Sequence, residues 1–359
     1  MSDRRIFGPQ GHLRSGRLVA HKTQEAAFRA GAWFLAINGN QKAAAWAKAS
    51  GLPIEKAHGE SQNSVGGFLV PNELVATIIA LRELRGAYRA AAQVVPLSSD
   101  YSSIPRRTGG LTAYFMAEAT TITESGGTWD TVGLAPKKLA TLSRSSSELD
   151  EDGAIDWGEW FVSEIAYAFA SKEDDCGFNG DGTSAYSGIR GITNLLLDGS
   201  HNAGKVTAGS HSTFATVDTT DLAKLIGTAP SYALANARWF ASNMGFALVF
   251  CRLAASAGGI VMQELNGRMV PHFMGWPVQI TQALPQSTGS LTGQVMLCFG
   301  DLSQAATLGE RRGVTVARSD QTFITQDQIA WRGTERVDIV NHDLGDNTTA
   351  GPIVGLVGA

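Results

Sequence analysis

The chain has 359 residues, of which 43% are hydrophobic and 17% charged, and a formal net charge of −4 at pH 7. That length exceeds what one hydrophobic core usually organises, so the composition predicts a folded chain with two lobes and excludes a disordered one. The charge balance excludes a global attraction for nucleic acid or anionic membrane. The three dispersed cysteines, Cys176, Cys251 and Cys298, read as reduced intracellular thiols, not as a disulfide framework.

Residues 1–22 form a basic arm with no periodicity, carrying Arg4, Arg5, Arg14, Arg17 and Lys22. It reads first as a solvated tail, and second as an arm that touches nucleic acid or an acidic neighbour. No apolar segment follows it, so no secretory signal is expected, and no apolar run reaches the roughly eighteen residues of a membrane span. Residues 23–50 predict two helices broken at Asn38-Gly39-Asn40, and 54–65 read as a polar linker. Gly66–Pro71 opens a new unit, and Asn72 is placed to cap a helix through Leu81. Strand patterning begins at residue 93. Residues 111–143 predict a long hairpin with LTAYFMAEA and LAPKKLATLS as its sides and Glu124–Gly127 near its tip.

The stretch Asp156–Gly182 predicts the longest helix. Asp156 and Glu159 have capping-box spacing, and Trp157, Trp160, Phe161, Ile165 and Phe169 recur at steps of three and four. Gly177 is the expected stop, which makes a rod of roughly 30 Å. A loop-rich passage follows over 183–212. A second lobe over 218–312 is expected to hold a helix at Thr220–Leu234, a strand at Phe246–Cys251 and a helix at Arg252–Leu265. Strands at Trp276–Ile280 and Val295–Phe299 and a helix capped by Asp301 complete it. From Val314 the alternation predicts strands returning to the first lobe.

Motifs of nucleotide binding, serine hydrolysis and zinc proteolysis are absent from the sequence. The seven histidines are scattered, with none at the spacing that puts two imidazoles on one metal. Glu148, Asp150, Glu151 and Asp152 read as a solvated turn before a helix. Glu173–Asp175 with Asn179 and Asp181 lacks the ligand alternation of a calcium loop and reads as a helix end and turn.

Several stretches, in order, resemble the tailed-bacteriophage major capsid proteins of the HK97-type fold. They are Gly66–Pro71 (GGFLVP), the 111–143 hairpin, the Asp156–Phe178 helix and its NGDGT ending at 179–183. The strand ending Phe250-Cys251, Asn266-Gly267-Arg268, Met274–Val278, Gly300–Ser303 and Val314–Ser319 continue the series. The resemblance covers roughly residues 66–340. It implies an α+β, HK97-like fold with a P domain (a long spine helix plus a β-sheet), an A domain, an extended E-loop hairpin and an N-terminal arm. The implied boundaries are 1–65 for the N-terminal extension and 66–103 for the N-arm and start of the P domain. The E-loop spans 104–143, the P domain with its spine helix 144–187, the A domain 188–312, and the P-domain return strands with a C-terminal tail 313–359.

By the same resemblance the chain is expected to assemble with itself into pentamers and hexamers of an icosahedral head shell around double-stranded DNA. Portal, scaffold or decoration proteins are its further implied partners. No cofactor, metal or membrane is implied, and the implied location is the virion, with assembly in the host cytoplasm. The E-loop tip, Ile122, Thr123, Glu124, Ser125, Gly126, Gly127, Thr128 and Trp129, is expected to touch a neighbouring subunit, and Arg4, Arg5, Arg14 and Arg17 to face the DNA. Two departures stand out. The loop lacks the lysine that some relatives cross-link to a P-domain asparagine, and the matching P-domain stretch reads Gln326-Asp327-Gln328. Residues 1–65 are too short and too poor in heptads for a cleaved scaffold. An encapsulin-type protein-storing shell, and an enzyme built on Glu148–Asp152, are the competing readings.

Overall fold

The computed structural model describes residues 36, 41–50, 86–116, 121, 124–146, 154–257, 262–265, 268–326 and 328–359. Its strands are β1 (Gln93–Pro96), β2 (Ser102–Gly109), β3 (Thr128–Leu134), β4 (Lys137–Ser146), β5 (Lys205–Thr207), β6 (Arg238–Ala241), β7 (Met262–Leu265) and β8 (Arg268–Phe273). They continue with β9 (Trp276–Ile280), β10 (Val295–Gly300), β11 (Ala306–Phe323), β12 (Gln328–Asn341) and β13 (Ile353–Val357). A four-stranded sheet has the order β1-β11-β12-β4, and a seven-stranded sheet the order β5-β13-β10-β6-β9-β8-β7. β2 and β3 pair as a separate ribbon. Of the two helices expected over 23–50, the second appears as Gln41–Ala49. The first, the Gly66–Pro71 segment and the helix after Asn72 lie outside the described residues.

The seven-stranded sheet explains where the apolar content goes. β10 (VMLCFG) and β13 (IVGLV) are buried at every position, as strands covered on both faces must be. Neighbouring side chains along a strand point to opposite faces. Trp239 and Phe299 join one core cluster, while Phe240 and Cys298 join the other. In the first cluster Trp239 lies against Phe299 (4.4 Å), Phe250 (5.3 Å) and Phe273 (6.2 Å), and its indole N–H donates to the Phe273 carbonyl at 3.2 Å. The second cluster joins the two sheets: Phe178 contacts Tyr88 (5.5 Å) and Phe240 (5.6 Å).

The long helix spans Ala154–Asn179, so it begins before Asp156, which lies inside its first turn and does not cap it. Trp157, Trp160 and Phe161 fall in its first two turns. Ile165 and Phe169 are buried against Gly333 of β12, whose absent Cβ makes room for them. Gly177 does not end the helix. A Cβ there would lie 2.4 Å from the Tyr88 ring, so the glycine serves close packing. The stop comes at the NGDGT turn. Gly182 takes φ +80°, and Asp181 accepts from the Thr183 N–H (2.8 Å) and hydroxyl (2.6 Å).

Other expectations are corrected. The apolar run Phe246–Cys251 is a π-helical turn, not a strand, between short helices at Asn243–Gly245 and Arg252–Ala257. Ser242 caps its start by accepting from the Gly245 N–H at 3.1 Å, and a short apolar run has no period that separates strand from buried helix. The strand of this region is instead Arg238–Ala241. The second of these helices stops at Ala257, and Met262–Leu265 forms a hairpin with Arg268–Phe273. The helix expected at Thr220–Leu234 is Thr219–Thr228, ended before Pro230, which has no N–H to donate and disfavours helical backbone at Ala229. Residues 183–212 are not all loop, since they hold a helix at Ile192–Leu197 and β5.

The hairpin's arms also differ from expectation. Its ladder runs from Ser102↔Leu134 to Gly109↔Thr128, residues 111–116 carry no strand, and β4 belongs to the four-stranded sheet. The last strand is no tail returning to the first lobe. β13 pairs with β10 and β5 inside the seven-stranded sheet.

Candidate assembly surface

The hairpin is rooted on the face of the four-stranded sheet opposite the long helix. Leu134 is fully buried, and it and Leu97 fill the space left by the missing Cβ of Gly309. Asp338 on β12 accepts from the Ala135 N–H at 2.7 Å, with Lys137 Nζ 3.6 Å away. Burial pushes the Asp338 carboxyl upward, against the pull of those donors. Arg336 donates to the Pro136 carbonyl (3.4 Å) and pairs with Asp100 (2.9 Å), which Arg311 also contacts. Three side chains of β11 and β12 thus grip both feet of the ribbon, with Lys137 of β4 beside Asp338. Farther out, Arg106 and Asp130 pair across the strands at 3.1 Å, an exposed contact worth well under about 1 kcal/mol.

Among the described residues of the tip, a hydroxyl ties its two sides together. Ser125 Oγ donates to the Thr112 carbonyl (3.0 Å) and accepts from its N–H (3.2 Å). Leu111, Tyr114, Met116 and Trp129 are exposed around it, Trp129 to 68%, and Phe115 is fully exposed. So many large apolar side chains on one projecting element mark a contact surface. Of the expected tip residues, Glu124, Gly126, Gly127, Thr128 and Trp129 are exposed and Ser125 half-buried, while Ile122 and Thr123 lie outside the described residues. Sequence reading missed Leu111–Met116 by assigning them to a paired arm, although the cluster of aromatic residues was visible. It also missed Asp100, Arg311, Arg336 and Asp338, which no local pattern connects.

The other singled-out residues have separate tasks. Glu335 is fully buried on β12, opposite Leu139. Gln326 ends the short turn between β11 and β12, Gln328 pairs with Ser146, and Asp327 lies outside the described residues. Glu173 accepts two hydrogen bonds from Arg89 (2.6 and 2.8 Å), and Arg89 also reaches Glu310 (2.8 Å). Asp174 accepts the N–H groups of Ala87 (3.1 Å) and Tyr88 (2.8 Å), and Asp175 pairs with Lys172 (2.9 Å). The three acids therefore brace the segment before β1 and the helix surface. His211, Asp218 and Asp221 come together at the start of the Thr219–Thr228 helix as a capping box. Asp218 accepts from the Asp221 N–H and Asp221 from those of Asp218 and Gly209, with His211 Nδ1 at 2.5 Å. Glu148, Asp150, Glu151 and Asp152, and Arg4, Arg5, Arg14 and Arg17, lie outside the described residues. No described helix is long and apolar enough to cross a membrane.

The described ribbon is thus held at its foot and apolar toward its free end. The sequence pattern of the phage capsid family matches residues 66–343. The chain belongs to the phage capsid family. A major capsid protein of Klebsiella oxytoca phage phiKO2 is 25% identical over 301 residues, covering 81% of this chain and 68% of that protein. Among solved structures, the capsid of an empty GTA particle aligns with a TM-score of 0.57 at 20% identity, over 88% of this chain and 98% of that one. That of Mycobacterium phage Bobi aligns with 0.54 at 18%, over 76% and 90%. The HK97-type capsid resemblance read from the motifs is therefore borne out: this is a phage major capsid protein, the building block of an icosahedral shell. At the level of fold, the mixed α+β architecture is that of phage capsid structures.

Proposed function

We propose that the chain closes its shell by laying the β2–β3 hairpin, as an E-loop, over an adjacent subunit in pentamers and hexamers. The four-stranded sheet with the long helix is the P domain and its spine, and the seven-stranded sheet is the A domain that gathers at the capsomer centre. The shell encloses double-stranded DNA without sequence-specific grip, as suits a chain of net charge −4 whose basic residues Arg4, Arg5, Arg14 and Arg17 sit in one N-terminal arm. Its work is mechanical and not catalytic, its place is the virion after assembly in the host cytoplasm, and portal, scaffold or decoration proteins join it there. Phage capsid relatives favour this reading over the encapsulin and acidic-enzyme alternatives.

The observation that carries the reading is the exposure of Phe115 and Trp129 at the end of a ribbon whose foot is held by Asp338, Arg336 and Arg311. Burying two such side chains at an interface contributes a few kcal/mol per subunit, repeated throughout a shell. The test replaces residues 110–127 with Asn-Gly, which closes the ladder at the Gly109↔Thr128 pair. The variant should keep the parent's circular dichroism and melting temperature and form no closed shells. Normal shells from this variant would remove the hairpin from the mechanism.

A further inference from the structure

The four-stranded sheet ends on one side in a long open edge. β4 pairs with β12 from Gln328↔Ser146 to Val337↔Lys137, and among the described residues nothing pairs with its other side. Half of the N–H and C=O groups of such a strand point outward, and sheets blunt their edges with bulges, prolines or very short strands. β4 has neither a bulge nor a proline, and it is 10 residues long. Its exposure alternates. Lys138, Ala140, Leu142 and Arg144 are exposed on one face, while Lys137, Leu139, Thr141 and Ser143 are half-buried on the other.

Charge and shape say what would pair with this edge. The strand carries Lys137, Lys138 and Arg144 and no acid. Lys137 has Asp338 at 3.6 Å. Lys138 and Arg144, three alternations apart on the exposed face, have no carboxylate partner among the described residues, and Arg144 lies over the Phe323 ring at 4.8 Å. Beside the start of the strand is a slot of about 60 Å³, lined by Leu139 of β4, Val337 and Ile339 of β12, and Cys176 and Lys172 of the long helix. Val337, Ile339 and Cys176 are buried, so the slot is apolar inside and suits one aliphatic side chain. Lys172 is already engaged by Asp175 at 2.9 Å and by the Tyr186 ring at 4.3 Å. The unanswered charge therefore lies along the strand itself.

We propose that the β4 edge takes an extended, acidic strand of a separate polypeptide. Acids of that strand lie opposite Lys138 and Arg144 on one face, and an aliphatic residue enters the slot beside Leu139 on the other. Main-chain hydrogen bonds to the edge give affinity, and the side chains fix register and select the partner. The chain itself does not offer such a strand among its described residues. Its strands with an open side are β1, β2, β3, β5, β7 and the part of β11 beyond Glu310, and each carries at most one acid. The open part of β11 is itself basic, with Arg311, Arg312 and Arg318. The inference is independent of the role of the hairpin tip, which is a different element.

The test uses the fluorescein-labelled peptides TELTTVTET and TETVTTLET, which present the pattern in the two strand directions. By fluorescence anisotropy, one of them should bind both dissociated subunits and closed shells. A chain carrying Lys138→Glu and Arg144→Glu should melt like the parent and bind that peptide about tenfold more weakly. It should in turn prefer the same peptide with lysine in place of glutamate. Changes on the peptide probe the same contacts with the protein unaltered. Asparagine in place of the leucine should weaken binding about tenfold. N-methylation of alternate residues should abolish binding for one set and spare it for the other, because only one side of an added strand faces the edge. The proposal is overturned if neither peptide binds, if the parent takes the lysine peptide equally well, or if both N-methylated sets behave alike. Binding to subunits but not to shells would assign the edge to a second copy of the chain. Displacement by a DNA duplex of equal charge, with no preference between the leucine and asparagine peptides, would make it a diffuse polyanion surface. Either result also removes the separate strand.

Discussion

At the scale of single residues, Asp174 shows how position changes chemistry. It sits near the end of the long helix, 8% exposed, and caps the segment leading to β1 through the Ala87 and Tyr88 N–H groups. Burial pushes its carboxyl up from 3.8 to about 6, with Glu173 adding to the rise while the two N–H groups and Thr281 oppose it. The fold therefore favours the protonated form. The associated stability is fully present below pH about 3.8 and is lost as pH rises through about 6, a change of about 3 kcal/mol. Comparing denaturation of the dissociated parent subunit with Asp174→Asn from pH 4 to 7 isolates it. The parent's advantage over the variant should shrink by that amount as pH rises, and a constant or growing advantage would contradict the burial argument.

At the scale of elements, the hairpin and the long helix are built on opposite principles. One side of the described part of the helix is buried by its own chain, with Ile165 and Phe169 on Gly333 and Gly177 under the Tyr88 ring. Among its described residues the hairpin buries only its foot. Its free part has no lysine for a covalent link to a neighbour, and Lys137 and Lys138 lie beyond it on β4. Particles are therefore expected to be held by non-covalent contacts. Boiled in denaturant, they should run as a single band at the chain's own mass, and a ladder surviving reductant would show a cross-link made elsewhere.

At the scale of the whole molecule, the chain's end completes its middle. β13 inserts between β10 and β5, with Ile353, Val354 and Leu356 fully buried. Returning those three side chains and the flanking valine to water costs about 8 kcal/mol, comparable to the entire stability of an ordinary domain. Deleting residues 353–359 should thus yield insoluble chain or a subunit without a cooperative melt. A soluble, cooperatively melting truncation would mean that the seven-stranded sheet stands without its second strand.

Local chemistry determined the parts of this protein that local chemistry can determine. The apolar spacing of Ile165 and Phe169 announced the long helix and Asp301 the cap of the short Leu302–Ala305 helix, because periodicity and capping act within a few residues. Glycine-rich Glu124–Gly127 located the hairpin tip to within a few residues, though not the register of its arms. Tertiary structure decided what depends on partners far along the chain. Phe246–Cys251 is helical because the buried strand position beside β10 belongs to Arg238–Ala241. Gly177 continues a helix because Tyr88 needs the space. The hairpin's foot is held by Arg311, Arg336 and Asp338, which lie some two hundred residues beyond it, and β13 joins the far sheet because only there is an all-apolar strand covered on both faces. Burial and long-range pairing leave no periodic mark on a single sequence, and this is why those choices became visible only in three dimensions.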